Sequence, residues 1–291
     1  MKIILSRKGF DAEAGGFASP ILPDGRMISL PIPEESSEVK YSELSVDGQT
    51  NYYSLMESLY KGKIKRENKW TALSKDTGCH LDPDINRHIT KRAANWRGVF
   101  GQVGQSAVHL QNQGVQQGDI FLFFGWFKQT IWCNDRLIYK VDEKDGRHVL
   151  FGYLQVGQII KPTKATQKDD WLKTHPHLHD TYLSEPSNTL FIAADHLSFM
   201  PGISGCGSFQ YSDKLVLSKA GETKSKWALP TIFRDTDISY HKKDSWQNGY
   251  FQSVRRGQEF VLTASDEIER WTQDLIAMHN IQKTHSKVTH I

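Results

Sequence analysis

The run Gly118-Asp119-Ile120-Phe121-Leu122-Phe123-Phe124-Gly125-Trp126-Phe127 limits what this chain can fold into more than any other stretch. It is the most apolar run in the sequence, and a Gly-Asp turn precedes it. A second run of the same kind lies at His148-Val149-Leu150-Phe151-Gly152-Tyr153-Leu154-Gln155-Val156-Gly157. Apolar runs of this length, rich in aromatic and β-branched residues and bounded by glycine, read as strands buried on both faces. The pair is expected to form the centre of a sheet that carries its polar site elsewhere.

Other segments fill in around that pair. Lys2 to Ser6 reads as a first strand, Ile28 to Pro33 as a short strand ended by prolines, Thr189 to Ala194 and Lys214 to Ser218 as further strands. Lys128 to Gly146 reads as a hairpin-like excursion. Helical spacing predicts helices over 51–61 and 104–113, the latter closed by Gly114, and a helix capped by Ser265 with Ile268, Trp271, Leu275 and Met278 on one apolar face. The expected fold class is α+β, a central mixed and mostly antiparallel sheet with buried strands and a few flanking helices. A single domain over 1–291 is expected, with a helical or irregular lobe at 34–100 and a frayed tail at 282–291.

With 38% hydrophobic and 24% charged residues, the 291-residue chain has the make-up of a soluble globular protein, not a disordered one. A net charge of +3 falls well short of the footprint of a dedicated duplex-DNA binder. The N-terminus enters a strand directly instead of a secretory signal, and no run approaches the roughly eighteen apolar residues of a membrane span. Cys79, Cys133 and Cys206 form no C-x-x-C, so neither a disulfide framework nor a zinc ribbon is indicated. A cytoplasmic protein without membrane contact is the expectation.

Polar chemistry concentrates in a few places. Arg7, Lys8 and Asp11, with Gly15 and Gly16, follow the first strand as a loop able to approach phosphate closely, or as a solvated surface turn. The spacing is neither a Walker loop nor a dinucleotide fingerprint. His80, Asp82 and Asp84 bring imidazole and carboxylate together, as an acid/base pair or a metal site needs, or as an Asp-Pro turn starting a helix would. In the polar loop 161–187, His175, His177 and His179 at alternate positions can line one edge as ligands of a divalent metal, though no partner ligands stand at a fixed spacing. Trp96, Trp126 and the Lys226–Trp227 pair are stacking candidates for a base, or core tryptophans beside surface charge. Gln258 and Glu259 open an otherwise apolar strand, where a carboxylate is either solvated or held in a cleft as an acid or base.

Ser6 to Asp11 with Gly15-Gly16 and Ser19-Pro20-Ile21, then Leu30 to Pro33, together resemble the opening of the nucleotide modification associated domain family, third type. His80 to Asp84, Gly118 to Phe127, Gly152 to Val156 and Gly257 to Phe260 are also similar to that family's motifs, in one order from residue 2 to about 275. Phe17-Ala18 departs from the smaller or more turn-like pair expected before Ser19. The resemblance implies association with bacterial and phage systems that modify DNA bases, a bacterial or phage-infected cytoplasm, and nucleotide, DNA and other DNA-modification enzymes as partners. It carries over no reaction and no catalytic residue. The functional expectation is therefore a protein that acts on or binds a nucleotide or base in a cleft of Arg7, His80, Asp82 and Glu259. One alternative is a non-catalytic reader of modified or flipped bases with Trp126 as a stacking wall. A weaker one is NAD-dependent ADP-ribosyl transfer, on a faint likeness of Asn188 to Ser198 and of Gln258 to Leu262 to transferase motifs.

Overall fold

The computed structural model describes residues 1–142, 145–254 and 257–281, so the tail expected to fray lies outside the described residues. Nine strands make one sheet: β1 (Lys2–Arg7), β2 (Ser19–Ile21), β3 (Val99–Gln102), β4 (Ile120–Cys133), β5 (Arg136–Tyr139), β6 (Arg147–Ile160), β7 (Thr189–Ala193), β8 (Cys206–Ser208) and β9 (Glu259–Thr263). The main path runs β9-β1-β4-β6-β7-β3, while β2 and β5 join β4 and β8 joins β6. β1 and β2 lie parallel to β4, and the other pairings are antiparallel. The architecture is α+β, with the mixed and mostly antiparallel sheet expected.

The two apolar runs are the middle of that sheet. They pair antiparallel from Ile120↔Gln155 to Phe127↔Arg147, with a bulge between Phe123 and Phe124. Phe121, Leu122, Phe123 and Phe124 are all fully buried. Successive strand residues point to opposite faces, so four buried in a row means that both faces are covered. Burying each side chain this way contributes about 1.5–3 kcal/mol. Asp119 fixes where β4 begins, because its two carboxylate oxygens accept the Lys2 and Gln116 backbone N–H groups.

Among the described residues four α-helices flank the strands: α1 (Tyr52–Tyr60), α2 (Gly104–Asn112), α3 (Asp180–Leu183) and α4 (Asp266–His279). Asn51 caps α1 through its side chain, and Gly114 follows α2 in the left-handed conformation. Ser265 caps α4 as expected, but the buried face is Ile268, Thr272, Leu275 and Ile276, while Met278 is exposed. Among the described residues no helix is long and apolar enough to cross a membrane.

Two expected strands do not form. Residues 28–33 make isolated bonds, including Ile28 N–H to Pro20 O, because Pro31 and Pro33 cannot donate to a ladder. Lys214 to Ser218 begins in a 3-10 turn and continues as single bridges to Val149 and Trp227. The region 34–100 contributes most of a second apolar cluster, in which Tyr41, Tyr52, Met56, Tyr60 and Ile64 pack with Phe10.

Trp227 belongs to the main core, with its indole N–H donating to His148 Nδ1 at 3.1 Å. Burial, joined by the charges of Arg7 and Lys224, pushes the His148 pKa down to about 3. Above about pH 6.5 the imidazole is neutral in both folded and unfolded chains. Below that the unfolded chain takes up the proton first, so His148 costs stability as pH falls from about 6.5 to about 3. Urea denaturation across that window is expected to lose up to a few kcal/mol to this group. His148→Gln, which keeps an acceptor and cannot titrate, should flatten the slope; an unchanged slope would remove His148 as its source.

Candidate functional site

The segments 80–84 and 175–179 are far apart in sequence and meet in space. His80 and Asp82 lie on an extended stretch in which the His80 N–H donates to Ile32 O and the Asp82 N–H to His80 O, and whose Asp82–Pro83 peptide is cis. His177 lies on a 3-10 turn, Pro176–Leu178, capped by His175 and beginning with its proline where a missing N–H costs nothing. His177, the side chain of Asp82 and most of His80 are buried.

The hydrogen bonds around this group settle which atoms are left free. Asn188 donates its amide to the backbone oxygens of His177 and Tyr182, so its Oδ1 must be the acceptor facing His177 Nδ1 at 2.8 Å. His177 Nδ1 therefore carries the proton, and Nε2 is a bare lone pair. Glu34 accepts from Tyr182 O–H at 2.6 Å and from His80 Nδ1 at 3.1 Å, so His80 Nδ1 carries a proton and Nε2 is the ring nitrogen that faces no protein partner among the described residues. Asp82 Oδ1 accepts the Gly101 N–H at 2.8 Å. His175 Nε2 sits 3.4 Å from the same oxygen, within charge contact but without an aligned hydrogen bond.

Burial pushes the Asp82 carboxyl up, but His175, His177 and His80 together outweigh it and hold its pKa below the usual value. Burial pushes His177 down to about 4 in spite of Asp82, so near neutral pH it is uncharged. One ligand atom from each of His80, Asp82 and His177 lies within 4.8 Å of the others. Two imidazoles and a carboxylate presented this way can take a proton or a metal ion.

Glu259 is in a different group. Its carboxylate is wholly buried, with Oε1 accepting from Lys8 Nζ at 2.7 Å and from Gln102 Nε2 at 2.8 Å. Lys8 also sits 4.5 Å above the Phe100 ring, and Gln258 Oε1 lies 3.4 Å from Gln102 Nε2. Strand β3 joins the two groups through consecutive residues, since Gly101 holds Asp82 while Gln102 holds Glu259. Alternation along a strand sends Gln102 and Phe100 to one side and the bare Cα of Gly101 to the other, where His177 packs on it.

The remaining candidates are spread around these two groups. Asp11 folds the 11–16 loop by accepting the Glu13 and Ala14 N–H groups, and the Gly15 and Gly16 N–H groups go to Lys65 O and Asp11 O. Those donors are spent within the protein, and Gly15 is kept side-chain-free by the Phe10 ring packed against it. Arg7 and Lys224 are near enough for each charge to act on His148, and Lys224 Nζ covers the half-buried Trp126 ring at 3.7 Å. Trp96 is buried, with its N–H toward Asp84 and Arg92 over its ring at 4.6 Å. No helix starts at Asp84, which pairs instead with Arg92. Lys226 pairs with Glu222 on the surface, and Trp227 lies in the core beside it.

Sequence reasoning missed Glu34, Tyr182, Asn188, Gly101 and Gln102. Only Gly101 left a signal, as a lone glycine inside a strand where another group approaches closely. A family model described as nucleotide modification associated domain 3 matches residues 2–263. No curated protein and no solved structure matches the chain.

Proposed function

The chain belongs to the nucleotide modification associated domain 3 family, and from that premise we propose that it acts on a nucleotide or a base in DNA at the centre formed by His80, Asp82 and His177. The observation that carries this reading is the convergence of two sequence-distant segments on one cluster of bare acceptor atoms. An ionised carboxylate beside a neutral imidazole can accept a proton from an incoming hydroxyl, amine or water as it attacks. Glu34 and Asn188 are positioning residues, which hold the two imidazoles in one tautomer. Asp82 also contributes to the wall of a cleft shared with Ser29, Tyr52, Pro83 and Asn86. Other DNA-modification enzymes are the partners that supply its substrate or consume its product.

The test is the nucleoside composition of DNA from the native host with the gene intact, deleted or replaced by variants. Mass spectrometry of digested DNA is expected to show a modified nucleoside that disappears with His177→Ala and with Asp82→Asn. A modified nucleoside that persists in both variants at matched protein levels would overturn this reading of the centre.

A further inference from the structure

We propose that His80, Asp82 and His177 are the three protein ligands of a divalent transition-metal site. Two imidazoles and one carboxylate are the donor set that holds ions such as Zn2+, Fe2+ or Mn2+ and leaves coordination positions for outside ligands. The inference uses the residues of the proposed reaction centre, but it stands on their geometry and does not depend on the identity of the substrate.

The surroundings of each ligand argue for it independently. Metal-bound histidines typically donate their second ring N–H to a carboxylate, carbonyl or amide oxygen, which fixes the ring and leaves the other nitrogen to the metal. Here His80 Nδ1 faces Glu34 Oε2 and His177 Nδ1 faces Asn188 Oδ1. The outer partners are themselves held, Glu34 by Tyr182 and Asn188 by two backbone carbonyls. Asp82 Oδ1 takes the Gly101 N–H, so its second oxygen is the one to offer. A general acid or base needs one such arrangement; three on three neighbouring residues serve a shared guest.

The dimensions fit. The ligand atoms lie within 4.8 Å of one another. An ion bound at roughly 2.0–2.2 Å from each ligand brings them to about 3–3.5 Å, a closure of up to roughly 1.5–2 Å shared among the three side chains. Gly101 has no side chain where the His177 ring packs, so the third ligand can sit against the strand that also holds Asp82. His175 Nε2 lies 3.4 Å from Asp82 Oδ1, the oxygen that also takes the Gly101 N–H.

The experiment uses the full chain, stripped with a chelator and titrated with Co2+, read by visible absorption and equilibrium dialysis. One Co2+ per chain is expected, with the absorption of a mixed nitrogen and oxygen site. Asp82→Asn keeps an acceptor for the Gly101 N–H, and with His177→Ala it should bind at least about 100-fold more weakly, beyond the effect of an outer-shell change. Glu34→Gln should weaken binding by about 10–100-fold. His179→Ala, at an exposed position on the same segment, should bind as the parent does. Circular dichroism and urea midpoints of each variant separate lost ligation from lost fold. No stoichiometric Co2+ binding, or equal binding by folded Asp82→Asn and His177→Ala, would overturn the proposal. Adding a nucleoside monophosphate to the Co2+ form is expected to shift the bands. Unshifted bands with stoichiometric metal would leave the metal site standing and remove the nucleotide from it.

Discussion

Glu259→Ala is expected to destabilise the fold by about 3–5 kcal/mol in urea denaturation, the usual cost of stranding one member of a buried ion pair. Glu259 is fully buried, and its partner Lys8 is about as enclosed, with a side-chain exposure of 9%. Removing the carboxylate leaves the Lys8 ammonium above the Phe100 ring and takes an acceptor from Gln102. A cation over an aromatic face gains about 1–2 kcal/mol, less than its lost partner supplied. The opposing entropy is already spent, since Ser6 and Glu259 are register partners on β1 and β9. Replacing both charges, as Lys8→Met with Glu259→Leu, should recover most of the loss, because apolar pairs of similar volume are as stable as buried ion pairs or more so. The double variant also separates two roles for Glu259. If the pair only joins β1, β3 and β9, the double variant keeps the nucleoside modification. If the carboxylate meets substrate, stability returns and modification does not. We expect modification to be kept, since Lys8 and Gln102 occupy Oε1 and the group is sealed from solvent.

How much of this was legible in the sequence depends on the range of the interaction. The centre of the sheet could be read because Phe121 to Phe124 are apolar without alternation, a pattern that only a doubly covered strand explains. The caps at Asn51 and Ser265 were local and followed from residue type. The short strands at 28–33 and 214–218 failed because a strand exists only where a neighbour supplies its ladder, and the sequence does not name the neighbour. The site was half legible for the same reason. His80, Asp82, His175 and His177 drew attention through their chemistry, but their meeting is a tertiary fact. Glu34 lies in a polar acidic stretch where nothing sets it apart from Glu35, and only the fold brings it to His80. The tryptophans were ambiguous for a physical reason. An indole serves a core or a base equally well, and Trp96 and Trp227 went to the interior.

Gly101→Ala is expected to damage the site more than any other single added methyl group. A Cβ at this position would lie 2.3–2.7 Å from three atoms of the His177 ring, Cδ2, Cγ and Nε2. The ring has little freedom to withdraw, because Asn188 holds its Nδ1 and Pro176 precedes it in a tight turn. Overpacking of this kind costs about 1–3 kcal/mol. The functional loss should exceed it, since the ring turns its bare nitrogen away from Asp82. A ligand displaced by even about an ångström forfeits a large factor in binding or rate. Gly202→Ala, where an added Cβ meets nothing within 4 Å, is the control and should be silent in both assays. Adding His177→Ala to Gly101→Ala removes the clash. Thermal denaturation should then show stability returning toward the parent, while Co2+ binding and nucleoside modification stay lost. If Gly101→Ala alone binds Co2+ like the parent, His177 is not a ligand. The neutral imidazole would then be a packing element on β3, and the centre would have to be rebuilt around His80, Asp82 and His175.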